Sequence, residues 1–122
     1  MNKTAVLIVL LFVGIGLFLF RISSEKNNVV LSEDKVYLFV GAGCSHCEKV
    51  EEYIRDKKIG EKVSIETMEV FKNISNQRYY RKAFELCGKE VKDISVPILY
   101  FRGECVSGDV DIEKKLDELA AK

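Results

Sequence analysis

The chain lacks any bias of charge: its 122 residues hold 19 basic and 19 acidic side chains. Residues 34 to 122 carry 16 of the basic and 17 of the acidic ones, so this part is close to neutral as well. A protein that binds nucleic acid through its phosphates needs a basic face, and no part of this chain supplies one. We therefore expect no nucleic-acid partner.

Tryptophan is absent and proline occurs once. That proline, Pro97, follows Val96 in the apolar stretch "SVPILYF" of residues 95 to 101. A cis peptide bond is readily accepted only before proline, so this chain has one place for it. Internal repeats and low-complexity stretches are also missing, which excludes a repeat array.

Charge is missing from residues 5 to 20, which are sixteen consecutive apolar residues between Lys3 and Arg21. A helix over residues 4 to 22 is roughly 28 Å long, close to the hydrocarbon thickness of a bilayer. The flank "FLFRISSEK" contains no small-x-small cleavage site and no lipobox cysteine. We expect an uncleaved transmembrane anchor over residues 1 to 22, with a cleaved signal peptide as the alternative.

The basic residues on the two flanks of this run are nearly balanced, so the positive-inside rule favours neither orientation. The default for a very short leader places the amino terminus in the cytoplasm. The expected protein is therefore a single-pass membrane protein with its domain outside the cytoplasm. A polar tether over residues 23 to 34 is expected to lead into one domain, residues 35 to 122, which is long enough for one core.

The pattern of apolar residues predicts seven elements in this domain, in the order βαβαββα. The strands are expected at residues 35–41, 62–71, 95–101 and 104–107. The helices are expected at residues 44–58, stopped by Gly60; at 76–87, capped by Ser75 and stopped by Gly88; and after a cap at Asp109 or Asp111. A right-handed crossover makes the first two strands parallel, and the last two form a hairpin. The prediction is an α/β fold with a four-stranded mixed sheet and helices on both faces.

The motif Cys44-Ser45-His46-Cys47 follows the first strand and opens the first helix of the domain. This placement is specific for thiol–disulfide chemistry, because free N–H groups and the positive end of the helix dipole stabilise a thiolate at Cys44. That thiolate attacks a disulfide, and Cys47 resolves the mixed disulfide. The expected catalytic residues are these two cysteines, with His46 as a tuner of the thiolate.

This motif, the Val96-Pro97 strand opening and Ser107-Gly108 before the last helix resemble the thioredoxin superfamily, and among its members the glutaredoxin-sized domains. The resemblance covers nearly the whole domain. It implies that Pro97 is a cis-proline facing the cysteines and that the backbone of Val96 pairs with a substrate chain. Ser45 and Gly108 complete the expected substrate-binding residues.

The sequence departs from this family at three positions. Gly43 stands where thioredoxins carry a tryptophan, Leu38 where they bury a carboxylate, and Gly41 where glutaredoxins hold glutathione with a lysine. The later Gly-Gly-x-x-Asp motif of glutaredoxins appears as "SGDVD" in residues 107 to 111, so half of a glutathione site is present. We expect no cofactor beyond the redox-active cysteine pair, with glutathione less favoured than protein substrates. A histidine between the cysteines resembles protein disulfide isomerases and DsbA-type oxidases, which indicates an oxidising couple.

Cys87 and Cys105 are the other two cysteines. Cys87 lies on the apolar face of its predicted helix, where a buried thiol is usual. Four cysteines in an exported domain also permit a second, structural disulfide. A Cys87–Cys105 bond and two separate thiols are both open.

The predicted function is that of a membrane-anchored thiol–disulfide oxidoreductase, leaning towards an oxidase, an isomerase or an electron relay. Its expected partners are protein thiols or disulfides and a membrane or soluble redox partner. A Cu(I) carrier is one alternative, because two thiolates suit Cu(I). In such carriers the second strand turns directly into a third, whereas here a helix is predicted at residues 76–87, so no metal site is expected. A non-catalytic, membrane-tethered peptide-binding module is the other alternative.

Overall fold

The computed structural model of the protein describes residues 2 to 23 and 29 to 122. Residues 24 to 28 of the predicted tether lie outside the described residues. The remainder of that segment contacts the domain, since Leu31 packs against one of its apolar clusters. Ser32 donates its backbone N–H to the Tyr37 hydroxyl (2.9 Å), and Arg102 Nε donates to the carbonyl of Glu33 (3.0 Å). Residues 31 to 33 of the predicted tether are therefore attached to the domain.

The N-terminal apolar residues form helix α1 (Lys3–Ser23). Its segment Lys3–Arg21 is long and apolar enough to cross a membrane and is not buried against the rest of the described chain. A signal sequence near an amino terminus has the same length and composition. The helix is thus a candidate membrane span.

The elements of the domain follow the predicted order βαβαββα. They are β1 (Val36–Val40), α2 (Ser45–Asp56), a short 3-10 helix (Ile59–Glu61), β2 (Ile65–Glu69), α3 (Ile74–Leu86), β3 (Ile98–Phe101), β4 (Glu104–Ser107) and α4 (Asp109–Ala120). The strand order in the sheet is β2-β1-β3-β4. β1 and β2 are parallel, and the other two pairs are antiparallel. The predicted four-stranded mixed sheet is confirmed, and its order is that of a thioredoxin-like fold.

Two apolar clusters fill the two faces of the sheet around β1, all five residues of which are buried. Val36, Leu38 and Val40 point to the face covered by α2 and α4, while Tyr37 and Phe39 point to the face covered by α3. The helices contribute Cys47, Val50, Ile112 and Leu116 to the first cluster and Tyr80 and Ala83 to the second. Full burial of a large aliphatic side chain stabilises a fold by about 1.5–3 kcal/mol, so these clusters hold the helices on their faces. Helices on both faces were predicted, and this is confirmed.

Two predicted helix ends around β2 are wrong. α2 ends at Asp56, and the chain turns at Lys58 (φ 52°), two residues before Gly60. α3 is capped by Asn73 rather than by Ser75, because the Asn73 side chain accepts the backbone N–H of Asn76 (3.1 Å). β2 is also shorter than predicted, since its flanks enter the 3-10 helix and the turn before α3.

The cap of the last helix was also predicted wrongly. Gly108 (φ 89°) is the N-cap of α4 and has no side chain with which to cap it. Asp109 and Asp111 instead lie in the first turn, where a carboxylate interacts favourably with the positive end of the helix dipole. Gly88 (φ 67°) follows the end of α3, as predicted.

Candidate active site

The cysteine motif lies where β1 ends and α2 begins. Cys44 is the N-cap of α2, and its sulfur accepts the backbone N–H of Cys47 (3.2 Å). Its carbonyl accepts the N–H of Glu48 (3.1 Å), which is the first bond of the helix. The two sulfurs form a disulfide across Cα atoms that are 5.2 Å apart. The predicted pair is therefore close enough to form and break a bond.

The two sulfurs differ in exposure. The Cys47 side chain is only 1% exposed and belongs to the apolar cluster beneath α2, whereas Cys44 is half-buried. Ser45 and His46 between them are exposed. A second molecule can therefore reach Cys44 but not Cys47. The free N–H groups of the first helical turn favour the thiolate of Cys44 when the pair is reduced.

The loop before β3 lies against Cys44. The carbonyl oxygen of Val96 is 3.9 Å from the Cys44 sulfur, and the Val96–Pro97 peptide bond is cis. The carbonyl of Pro97 accepts the backbone N–H of Gly108 (3.4 Å). Val96, one of the predicted substrate-binding residues, therefore lies beside the reachable sulfur. Pro97 and Gly108, two others, are bonded to each other next to Val96. The fourth, Ser45, is the first residue of α2 after that sulfur.

Tyr80 of α3 forms hydrogen bonds with this loop from the α3 face of the sheet. Its hydroxyl donates to the carbonyl of Ser95 (3.0 Å) and accepts the N–H of the same residue (3.1 Å). The Tyr80 ring is fully buried, stacked on Phe84 and edge-on to Phe39. This anchoring fixes the residue that precedes Val96.

His46 contacts the start of α4. Its Nδ1 lies 3.1 Å from Asp109 Oδ2, and Lys49 Nζ lies 3.6 Å from the same oxygen. The hydrogen bond from His46 is the largest cause that keeps the pKa of Asp109 below its ordinary value, and it outweighs partial desolvation. An ionised carboxylate only accepts, so the bridging proton is on Nδ1 of His46. The tuning of Cys44 by His46 stays a prediction, since the contact seen here is to Asp109.

Replacing Asp109 with Asn should lower stability near neutral pH and leave it unchanged in strong acid. A carboxyl with a lowered folded-state pKa stabilises the fold above its unfolded pKa of about 3.9, and this stabilisation is lost as pH falls through the folded value. Urea unfolding at about pH 6 and about pH 2 measures the difference. His46→Ala should show the same sign at the higher pH. An equal loss at both pH values would contradict the ion pair as the cause.

The space beside Gly41 is occupied by a neighbouring side chain, the ring of Phe71. A Cβ on Gly41 would overlap the ring of Phe71, which lies over the loop that leads to the cysteines. Phe71 itself is 46% exposed. A side chain at position 41 would therefore require the exposed Phe71 ring to move.

Cys87 and Cys105 form a second disulfide across Cα atoms 5.9 Å apart. It joins the C-cap of α3 to β4, and both residues are half-buried against the cluster on the α3 face. Of the two alternatives that the sequence left open, the structure contains the bond.

Sequence reasoning missed two residues beside the motif and gave a third the wrong role. Glu69 and Phe71 were not singled out, and Asp109 was expected only as a helix cap. Glu69 lies next to Val40 in the parallel pairing of β2 with β1, so its side chain reaches the loop that β1 enters. The strand register could have indicated this neighbour, but no local pattern does.

Within residues 2–23 and 29–122, no three His, Cys, Asp or Glu side chains are grouped as a metal ion would require.

The fold and the site define a class: a thioredoxin-like domain with a disulfide-bonded Cys-x-x-Cys at the start of α2, preceded by an apolar helix. No protein-family model and no curated protein matches the chain. Among solved structures, glutaredoxin 1 from Francisella tularensis, complexed with cacodylate, is similar at 17% sequence identity and a TM-score of 0.48. The similarity covers 72% of this chain and 98% of that one. The class itself is defined by the strand order and the cysteine pair.

Proposed function

We propose that this protein is a membrane-anchored thiol–disulfide oxidoreductase that exchanges disulfides with protein substrates through Cys44 and Cys47. The difference between the two sulfurs carries the proposal. Cys44 is half-buried at the start of α2 and accepts a backbone N–H, while Cys47 is 1% exposed. Disulfide exchange needs one sulfur that meets the substrate and a second that meets only the first.

The exchange proceeds in two steps. The Cys44 thiolate attacks a substrate disulfide, whose S–S bond breaks as a mixed disulfide with Cys44 forms. The second substrate sulfur leaves as a thiolate and takes a proton from water. Cys47 then loses its proton and attacks the Cys44 sulfur, which releases the substrate as a dithiol. The substrate gains two electrons and the pair loses two, and the same steps in reverse oxidise a substrate dithiol.

We propose that the oxidising direction, or a relay of electrons to a redox partner, is the working one. His46 between the cysteines supports it, by its resemblance to the oxidising members of the superfamily. The pair must then be restored by a partner in the membrane or in solution that accepts two electrons.

The substrate proposed is a protein chain rather than glutathione. The Val96 carbonyl lies beside the Cys44 sulfur, at the edge where an extended chain would pair with the backbone. Gly41 stands where glutaredoxins carry their glutathione-binding lysine, and the Phe71 ring lies in the space beside it. A Cu(I) carrier is less well supported, because α3 separates β2 from β3, whereas in carriers these strands form a hairpin.

The membrane assignment rests on α1, whose apolar segment Lys3–Arg21 has the length of a bilayer span. We propose that α1 remains as an anchor and that the domain lies outside the cytoplasm. A reporter fused to the carboxyl terminus tests the orientation. A reporter that is active only in the cytoplasm should give no signal, and a signal from it would overturn the exported assignment.

The reduction potential of the Cys44–Cys47 couple tests the proposed chemistry. For an oxidase or isomerase we expect a value between about −180 and −120 mV, measured against glutathione buffers with the full chain in detergent. A value near about −270 mV would reverse the proposed direction and indicate a reductase. If no two-electron couple is found at these residues, the oxidoreductase proposal fails.

A further inference from the structure

The Glu69 carboxylate accepts hydrogen bonds from backbone N–H groups of two separate segments. Its Oε1 accepts from Phe71 (2.8 Å) and Lys72 (3.2 Å), and its Oε2 accepts from Lys72 (3.0 Å) and Asn73 (3.2 Å). All three donors belong to the turn between β2 and α3. Oε1 also accepts the N–H of Ala42 (3.3 Å), which is two residues before Cys44. One carboxylate therefore joins the turn before α3 to the loop that carries the motif.

That loop is a tight turn from Gly41 to Cys44. The carbonyl of Gly41 accepts the N–H of Cys44 (3.2 Å), and Gly43 has φ 75°, as the third residue of a type II turn requires. The turn uses only the first carbonyl and the last N–H for its own bond. The N–H of Ala42 is thus left for an outside acceptor, and Glu69 supplies it.

The position of the Cys44 sulfur depends on this turn. The sulfur must lie at the start of α2 to accept the N–H of Cys47 (3.2 Å), and the Gly41–Cys44 turn sets where the chain enters the helix. On this geometry we propose that Glu69 is a positioning residue, which fixes the Gly41–Cys44 turn so that α2 stabilises the Cys44 thiolate. Desolvation raises the pKa of Glu69, but the backbone hydrogen bonds from residues 71–73 and 42 together lower that pKa below its ordinary value. The Glu69 carboxyl is therefore ionised at neutral pH.

Two substitutions separate positioning from a simple effect of charge. In E69Q the carboxylate is lost, and an amide nitrogen replaces one of the two acceptor oxygens. In E69D the charge remains and a shorter side chain can still bond to the turn that follows it, as aspartates commonly do, but it no longer reaches Ala42. A through-space charge effect would make E69Q favour the thiolate and leave E69D unchanged. Positioning requires that both variants disfavour the thiolate.

The readout is the alkylation rate of reduced Cys44 in the full chain in detergent, followed by mass spectrometry of its peptide as pH is varied. We expect both variants to react about threefold to tenfold more slowly than the wild type below the thiol pKa, and at the same rate well above it. Glu66→Gln is the matched control, because Glu66 lies on the same strand and pairs only with exposed Lys35 among the described contacts. Its alkylation profile should match the wild type. Wild-type profiles for E69Q and E69D would overturn the proposal, as would a faster reaction of E69Q alone.

A second measurement needs no variant. In the oxidised wild-type protein, the amide proton of Ala42 should shift as Glu69 is protonated between about pH 6 and about pH 2, because the bond to the carboxylate weakens. An Ala42 amide that does not titrate over this range would overturn the bridge to Glu69. The role proposed for Glu69 rests on the proposed function, since it serves the thiol exchange of Cys44. Neither measurement depends on the turnover of a substrate. A failure of either one is therefore distinct from a failure of the proposed function.

Discussion

The Cys47→Ser variant should accumulate mixed disulfides with its protein substrates, joined through Cys44. Without Cys47 the pair cannot form its own disulfide. The Cys44 thiolate can still attack a substrate disulfide, and the mixed disulfide persists because no second sulfur releases it. Cys47 is 1% exposed on the buried face of α2, and a serine there keeps the size of the side chain close to that of cysteine. Non-reducing electrophoresis followed by mass spectrometry of cells that express the full chain would identify the trapped proteins. Cys44→Ser should trap nothing and lower the exchange rate by at least about a thousandfold.

The matched control is the double variant Cys87→Ser/Cys105→Ser in the Cys47→Ser background. These two cysteines form a separate disulfide between α3 and β4, so adducts through Cys44 should persist without them. Adducts that mass spectrometry locates on Cys87 or Cys105 would assign the exchange to that pair instead. Full exchange activity in Cys44→Ser would show that Cys44 is not the nucleophile, and the proposed role of the pair would fail. An absence of exchange activity in the wild type would favour the non-catalytic peptide-binding module.

Removal of the Cys87–Cys105 bond should destabilise the domain by about 3 kcal/mol. The bond closes a loop with a sequence separation of 18. In the chain-entropy account, a loop of this size lowers the conformational entropy of the unfolded chain, which stabilises the fold by about that amount. It also ties β4, an edge strand of the sheet, to the end of α3. The measurement is urea unfolding of Cys87→Ala/Cys105→Ala against the wild type under oxidising conditions.

The control for this prediction is Cys44→Ala/Cys47→Ala. That pair is separated by only three positions, so its bond constrains the unfolded chain much less and its removal should cost less stability. An equal loss in the two double variants would contradict loop closure as the source. No loss in Cys87→Ala/Cys105→Ala would show that the second disulfide has no structural role.

The sheet was predictable because its signals are local. β1 is a short, fully apolar run ended by glycine, and the hairpin between β3 and β4 has Arg102 and Gly103 at its turn. Helix ends were less predictable, because several residues nearby offer the same local chemistry. Asn73 and Ser75 are both good caps, and only the backbone of the folded chain selects the first.

The candidate site likewise contains features that follow from local sequence and features that depend on contacts between distant residues. Cys44 and Cys47 follow from spacing, because three positions at a helix start place two sulfurs in bonding range. The buried sulfur was also predictable, because Cys47 shares the apolar helix face with Val50. The contact of His46 with Asp109, 63 positions away, depends instead on the packing of α2 against α4. The bond between Cys87 and Cys105 was open in the sequence because either cysteine alone fits a buried thiol. It exists because α3 and β4 meet on the same face of the sheet.

The sequence by itself determined the apolar N-terminal helix, the order of the elements and the cysteine pair at the start of α2. Each of these depends on residues that are close along the chain. Only the tertiary structure decided that Glu69 and Phe71 meet the loop before Cys44 and that His46 meets Asp109. Strand pairing and loop closure bring such residues together from distant positions, and the physical result is a site whose reactive sulfur is placed by its neighbours in space.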